Sequence, residues 1–431
     1  MIGQGAVTPS AAGERYALLQ RADSQHHHTS SEEKMSSHDS EDSDIHAFID
    51  QLKLEELCRI ASDIEGGGSC SLGGHTVGGF NIIQELVFQD GKVWLARIPR
   101  PDNCFEPEEA TLSYAAVLRY LKKHSSIPVP SVYDYAAASD SGNTFGTSYI
   151  LMEKLPGHDL PTFDDDSDDD SDDDDLAPVQ LSAARKIHEQ LTDIIIELAS
   201  HRFESIGSLR EDPEGNFTVV QYCDPTYTSQ PEERTTAFHS LDPHYRGPYR
   251  SITDFYSSIS VLNLTQETTG PGHKHSPQMI ADYKALARLA PKIIIPEFDN
   301  GPFVIGHNDL TVQNILVDDE FNITGIIDFP GNTVPLPSLC VFPWMFHDNL
   351  SGPVVARDAY KEVFISKHSD NGSSALQSTS VRRQLIESAI TRNQFELALL
   401  GPMISLVLPD LYESINGEKY VQQGTGDGAT A

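Results

Sequence analysis

One stretch limits the folds open to this chain more than any other. Val304-Ile305-Gly306-His307-Asn308-Asp309-Leu310-Thr311-Val312-Gln313-Asn314-Ile315-Leu316-Val317 runs from an apolar segment into a polar turn and out again into a β-branched run. An acidic turn follows at Asp318-Asp319-Glu320, then a second apolar segment, Gly325-Ile326-Ile327, ending on Asp328-Phe329. The pattern predicts a strand hairpin with polar groups at its ends. Asp309 lies five residues before Asn314 and nineteen before Asp328, so pairing of the strands can gather all three at one edge. In such a set one Asp can take a hydroxyl proton, while the Asn and the second Asp hold a hard divalent cation through oxygen.

This arrangement resembles the catalytic and metal loops of kinase-fold phosphotransferases, H-x-D-x-x-x-x-N followed by a D-F-G-type Asp. It is similar in particular to the aminoglycoside-phosphotransferase-like (choline-kinase-type) family and its fungal members. Their H-x-D-L-x-x-x-N-[IV]-L-[VI]-D pattern is matched from His307 to Asp318, and their G-[IV]-[IV]-D-[WF] pattern from Gly325 to Phe329. The resemblance implies an α+β, two-lobed protein-kinase-like fold: a small antiparallel β-sheet lobe and a largely helical lobe, with ATP and Mg²⁺ between them. It implies Asp309 as the catalytic residue, and Asn314 and Asp328 as metal ligands.

Upstream segments fall where that resemblance needs them. Residues 66–79 are glycine-rich and enter a predicted hairpin, 81–88 and 92–98, through Gln89-Asp90-Gly91. Glycine lets backbone amides approach phosphates closely, and the resemblance puts Gly78 and Gly79 at the nucleotide. The second strand, Val93-Trp94-Leu95-Ala96-Arg97-Ile98-Pro99, carries Arg97 where kinases carry lysine. By resemblance Arg97 holds the α/β-phosphates, its bidentate fork replacing a point charge. A helix predicted from Pro107 to about His124 opens with Glu108 and Glu109. The family pattern makes Glu108 the first candidate to pair with Arg97 and Glu109 the second. Ile127-Pro128-Val129-Pro130 matches the family's S-I-P-V-P segment. Met152-Glu153-Lys154 then reads as the hinge whose backbone meets adenine.

The expected organisation is a disordered tail over 1–43, a first lobe over 44–154, a helical lobe over 155–415 and a second tail over 416–431. Tail 1–43 is poor in aromatic residues and rich in Ser, His, Asp and Glu. Ten Asp residues within 164–175 form an acidic insertion in which like charges crowd. Net charge is −34, which repels nucleic acid and anionic lipid. The sequence has no apolar run of membrane-spanning length and no recognisable signal peptide. Five scattered cysteines, with no C-x-x-C, read as reduced thiols, and a cytoplasmic location is expected.

The resulting expectation is an ATP-dependent phosphotransferase acting on a hydroxyl of a small molecule, with no nucleic-acid or membrane partner. The alternative is a non-catalytic binding or regulatory protein that keeps the fold. Arg97 in place of lysine and the long glycine stretch support that alternative, and the joint presence of Asp309, Asn314 and Asp328 opposes it. A protein kinase is disfavoured because Asn308 stands where such enzymes place an arginine and no A-P-E follows.

Overall fold

The computed structural model describes residues 45–100, 104, 106–160, 178–223, 231–269, 294–307, 310 and 312–339, with isolated positions from 280 to 292. Its first half is built on an antiparallel sheet of order β1-β2-β3-β5-β4. The strands are β1 (Cys70–Val77), β2 (Asn81–Phe88), β3 (Val93–Pro99), β4 (Val132–Ala136) and β5 (Tyr149–Glu153). Alternation decides which face each side chain takes. Ile82, Leu86 and Phe88 of β2 are buried together with Trp94, Ala96 and Ile98 of β3. They form one core with Leu57, Cys58 and Ala61 of helix α1 (Leu54–Ile64). Period two therefore sends Leu95 and Arg97 to the opposite face, toward helix α2 (Pro107–His124).

Helix α2 is well specified by its ends. Pro107 opens it, Glu108 and Glu109 lie in its first turn, and Lys122, Lys123 and His124 lie in its last, which complements the helix dipole. Its middle is enclosed nearly all round: Ser113, Tyr114, Ala115, Ala116, Val117 and Leu118 are all buried.

The expected glycine-rich loop is instead largely strand. Cys70–Val77 pairs with β2, and a register shift between Leu72 and His75 absorbs Gly73 and Gly74. A side chain at Gly73 would meet Glu85 Cβ and Val87 Cγ2 at 2.9 Å. Almost every residue of β1 is exposed, so no apolar alternation marks it in the sequence. The helical spacing of Ile45, Phe48, Ile49, Leu52, Leu57 and Ile60, with Asp44 as a cap, predicts one helix, but it breaks, with helical residues at 45–51 and α1 starting at Leu54.

In the second half, helix α3 (Pro178–Ser200) buries Ile187, Leu191, Ile195 and Leu198. Three small strand sets follow, β13-β10-β7, β12-β11-β6 and β8-β9, with β10 against α3 and β8 against α2. These are β6 (His158–Asp159), β7 (Arg202–Phe203), β8 (Ser208–Glu211), β9 (Phe217–Val220), β10 (Phe303–Ile305), β11 (Ile315–Val317), β12 (Ile323–Ile326) and β13 (Thr333–Pro335). One large core runs continuously from Leu118 of α2 through Ile187 to Phe303 and Phe329. This is the mixed architecture of a small antiparallel sheet with its helix, followed by a predominantly helical part. The tails and the 164–175 run lie outside the described residues, as do 356–367 and 381–400, where the sequence predicts two helices. Among the described residues, no helix is long and apolar enough to cross a membrane.

His188 on α3 is buried, and burial pushes its imidazole down to about 4. The unfolded chain takes up that proton near 6.5 while the folded chain does not, so stability falls as pH drops from about 6.5 toward 4. Urea unfolding at pH 7 and pH 5 should show the parent protein losing about 2 kcal/mol more than the His188→Gln variant.

Candidate active site

The motif hairpin forms as its sequence pattern requires. Strands β11 and β12 pair with Ile315 opposite Ile326, and Asp318 closes their turn. Its carboxylate accepts from the amides of Glu320 (3.0 Å) and Asn322 (2.8 Å) and from Asn322 Nδ2 (2.7 Å). The Asn322 side chain and amide, chiefly, hold this exposed carboxyl below the usual range. At the open end a short 3₁₀ turn, Val312–Asn314, leads into β11. Ile327 N donates to Asn314 O at 3.0 Å, which sets Asn314 beside the residue preceding Asp328. His307 Nε2 donates to Ile327 O at 2.7 Å, and its ring lies 4.6 Å from that of Phe329. A carbonyl can only accept, so Nε2 carries the proton and His307 braces the hairpin end.

Arg97 meets this end from the sheet. Its Nη2 donates to Asp328 Oδ1 at 2.8 Å. The guanidinium lies 4.2 Å from the centre of the Tyr114 ring. With the Asn81 amide oxygen turned toward it, both Nη atoms donate to that oxygen at 2.9 Å. The Arg97 side chain is 17% exposed and that of Asp328 is 40% exposed. Asp328 sits at φ 65°, a left-handed backbone that short polar residues tolerate best after glycine. Its N–H donates to Tyr114 Oη at 3.2 Å. Burial pushes the Tyr114 phenol up to about 12, with the Arg97 cation opposing and the Asp328 carboxylate reinforcing the shift. Burial likewise pushes the Cys104 thiol up to about 11 against the pull of Arg97.

Several expected contacts are rearranged. Glu108 accepts from Ser139 N at 3.1 Å and from the Ser139 hydroxyl, and Glu109 accepts from Arg210. Neither reaches Arg97. The first turn of α2 faces the Ser139 corner and β8, whereas the residue level with Arg97 is Tyr114, further along the helix. Of the two turn glycines, Gly78 donates its N–H to Asn81 O at 2.8 Å, closing the turn, and its carbonyl accepts from Arg100 Nη1 at 3.0 Å. That amide is thereby removed from any phosphate. In the hinge, Met152 is buried in β5, and Glu153 N donates to Ser131 O at 2.9 Å. The Glu153 carboxylate accepts from Ser131 Oγ (2.8 Å) and N (3.0 Å), and Lys154 Nζ donates to Glu85 at 2.6 Å. The Glu153 amide is thereby taken up inside the sheet. Asp309 lies outside the described residues.

The segment after Asp328 is clamped from two sides, by Ser113 of α2 and by Ser208 and Leu209, which match the family's F-x-x-I-G-S-L pattern over 203–209. Gly331 O accepts from Ser113 Oγ at 2.7 Å and from Leu209 N at 2.9 Å. At φ 86°, a Cβ on Gly331 would lie 2.6 Å from Ser113 Oγ. Asn332 is fully buried; its Oδ1 accepts from Ser208 Oγ at 2.7 Å and its Nδ2 donates to Cys223 O at 2.8 Å. Ser208 Oγ in turn accepts from Cys223 N at 2.7 Å. The signal for Tyr114 was present: Tyr114, Leu118 and Leu121 share one helix face at i, i+4 and i+7.

A profile of the phosphotransferase enzyme family matches residues 86–331, more than half of the 431-residue chain. The chain belongs to the phosphotransferase enzyme family. The match covers β3 with Arg97, all of α2 and the whole hairpin through Gly331. Among individual proteins, the chain is 36% identical over 83 residues to a subtelomeric hrmA-associated cluster protein of Aspergillus fumigatus. That match covers 19% of this chain and 16% of the relative's length. It is 22% identical over 291 residues to the clavilactone A biosynthesis cluster protein Y of Ampulloclitocybe clavipes, covering 63% of this chain and 64% of that one. Of solved structures, the macrolide 2′-phosphotransferase MphH from Brachybacterium faecium is 15% identical, with a TM-score of 0.42. That comparison covers 84% of this chain and 98% of the other.

Asn332→Ala strips buried groups on Ser208 and Cys223 of partners and should cost about 2 kcal/mol. Chemical denaturation of the purified variant checks it, with a lowered midpoint and an unchanged m-value expected.

Proposed function

We propose that this family member is an ATP-dependent phosphotransferase, passing the γ-phosphate to a hydroxyl of a small molecule. The observation that carries the proposal is the meeting of Arg97 with Asp328 at 2.8 Å, at the hairpin end beside Asn314. A phosphate-type cation and a metal-type carboxylate converge there from separate parts of the fold.

The donor chemistry fits Mg²⁺. Asp328 and Asn314 offer oxygen only, as a hard cation requires. The Asp328 carboxylate already holds a cationic group, so the locus suits positive charge. Bound there, Mg²⁺ would neutralise charge on the β/γ-phosphates during transfer. Asp328 and Asn314 would be its protein ligands. Arg97 would hold the α/β-phosphates through its two-pronged fork. Asp309 would orient the acceptor hydroxyl and take its proton as that oxygen bonds to the γ-phosphorus and ADP departs. The turn containing Gly79 would cover the phosphates, and the backbone from Lys154 onward would meet adenine. The net charge of −34 disfavours nucleic acid as acceptor and is compatible with a cationic small molecule. A cytoplasmic setting, where ATP and Mg²⁺ are available, is part of the proposal.

One feature favours the rival reading of a binding or regulatory protein: Arg97 stands where kinases carry lysine. The two readings diverge in the assay. Metabolite extracts incubated with ATP and Mg²⁺ should yield a phosphorylated product. Asp309→Ala should still be stabilised by ATP–Mg²⁺ in a thermal-shift titration while product formation drops at least about 100-fold. Nucleotide binding with no phosphorylated product would favour the regulator. Full activity of Asp309→Ala on the identified acceptor would remove Asp309 from the chemistry.

A further inference from the structure

Kinase-fold enzymes ordinarily hold their phosphate-binding lysine with a glutamate from the neighbouring helix. This chain carries Glu108 and Glu109 at the start of α2, yet both are engaged elsewhere, with Ser139 and Arg210. Beside its pair with Asp328, Arg97 is flanked by two uncharged groups. With its amide turned so that the oxygen faces the guanidinium, Asn81 accepts from both Nη atoms at 2.9 Å, and the Tyr114 ring lies beneath the guanidinium at 4.2 Å. We infer that Asn81 and Tyr114 are the positioning residues of Arg97, together doing the holding that a helix carboxylate does for the lysine of other kinase folds.

Three features argue for a built device over incidental packing. First, each residue is anchored independently of Arg97, Tyr114 through its burial and hydroxyl and Asn81 through its backbone. Tyr114 is 4% exposed in the middle of α2, and its Oη accepts from Asp328 N at 3.2 Å. Asn81 begins β2, and its backbone O accepts from Gly78 N at 2.8 Å. Second, the two residues tie Arg97 to the parts it must work with. Asn81 links it to the Gly78–Phe80 turn, and Tyr114 links it to the backbone of Asp328. Third, neither group brings a negative charge. A glutamate would partly cancel the guanidinium, whereas an amide oxygen and an aromatic face orient it and leave its full charge for an anion. When Asp328 takes up a metal ion in place of Arg97, Asn81 and Tyr114 would keep the guanidinium where it is.

The inference rests on the phosphotransferase reading for its functional consequence, but the cradle itself is testable without nucleotide. In the full-length protein free of ligand, the Arg97 Nε–H resonance, assigned through Arg97→Lys, should carry a ring-current shift. That shift should persist in Tyr114→Phe and vanish in Tyr114→Leu. ATP affinity, followed by thermal shift and calorimetry, should fall about tenfold in Asn81→Ala and in Tyr114→Leu, and stay within about twofold in Tyr114→Phe. In an Arg97→Ala background, Asn81→Ala should cost no further affinity, because both substitutions remove the same contact. An undiminished loss in that background would overturn the inference, as would an unchanged affinity of Asn81→Ala in the parent protein. Asn81 is only partly buried, so this arm survives if Tyr114→Leu fails to fold. If the parent protein does not bind ATP, the phosphotransferase reading falls, while the resonance still decides whether Tyr114 holds Arg97.

Discussion

The ion pair between Arg97 and Asp328 is the contact on which the arrangement of the site depends. It joins residues 231 positions apart in the chain, one on a central strand of the sheet and one at the end of the hairpin. Asp328 is 40% exposed, so water screens the pair and its contribution to stability is smaller than that of an enclosed one. Its importance is geometric. Arg97 cannot leave the sheet face that alternation assigns it. Asp328 cannot leave the hairpin end that Asn314 O and Ile327 N define. The pair therefore fixes the distance between the two halves of the site.

Around it the fold supplies layers of uncharged support. Helix α2 serves both sides at once: Tyr114 touches Arg97 and receives the Asp328 amide, and Ser113 donates to Gly331 three residues later. The Ser208–Asn332–Cys223 network then anchors the outgoing chain to β8. A fully satisfied buried network of this kind is costly to disturb, since removing one member leaves the others desolvated and unpaired. The Asp328 carboxylate is thus partly exposed on a rigid mount.

Much of this was legible in the sequence because it depends on local patterning. The hairpin could be read from two β-branched runs and an acidic turn, and β2 and β3 from strict alternation. Helix α2 could be read from its proline start and charged ends. The contacts that departed from expectation share a different origin. Strand β1 exists only through pairing with β2 and buries almost nothing of its own, so no periodicity announces it. The assignment of Glu108 to Arg97 failed on helix phase and position. Glu108 faces the Ser139 corner, while Tyr114, nearly two turns on, lies level with the guanidinium. Likewise the amides of Gly78 and Glu153 are taken up by Asn81 O and Ser131 O, pairings set by how the turn and the sheet close.

By itself the sequence determined which chemistry-bearing residues are present, on which element each sits, and which family the chain joins. Period-two and period-3.6 burial act along the chain and need no partner to be read. Only the tertiary structure decided which of those residues meet. It matched Arg97 with Asp328, Asn81 and Tyr114 in place of a helix glutamate. Such pairings depend on the packing angle of a helix on a sheet and on the level at which two distant segments pass each other. Those quantities are set by the sum of the core contacts and are written at no single position of the chain.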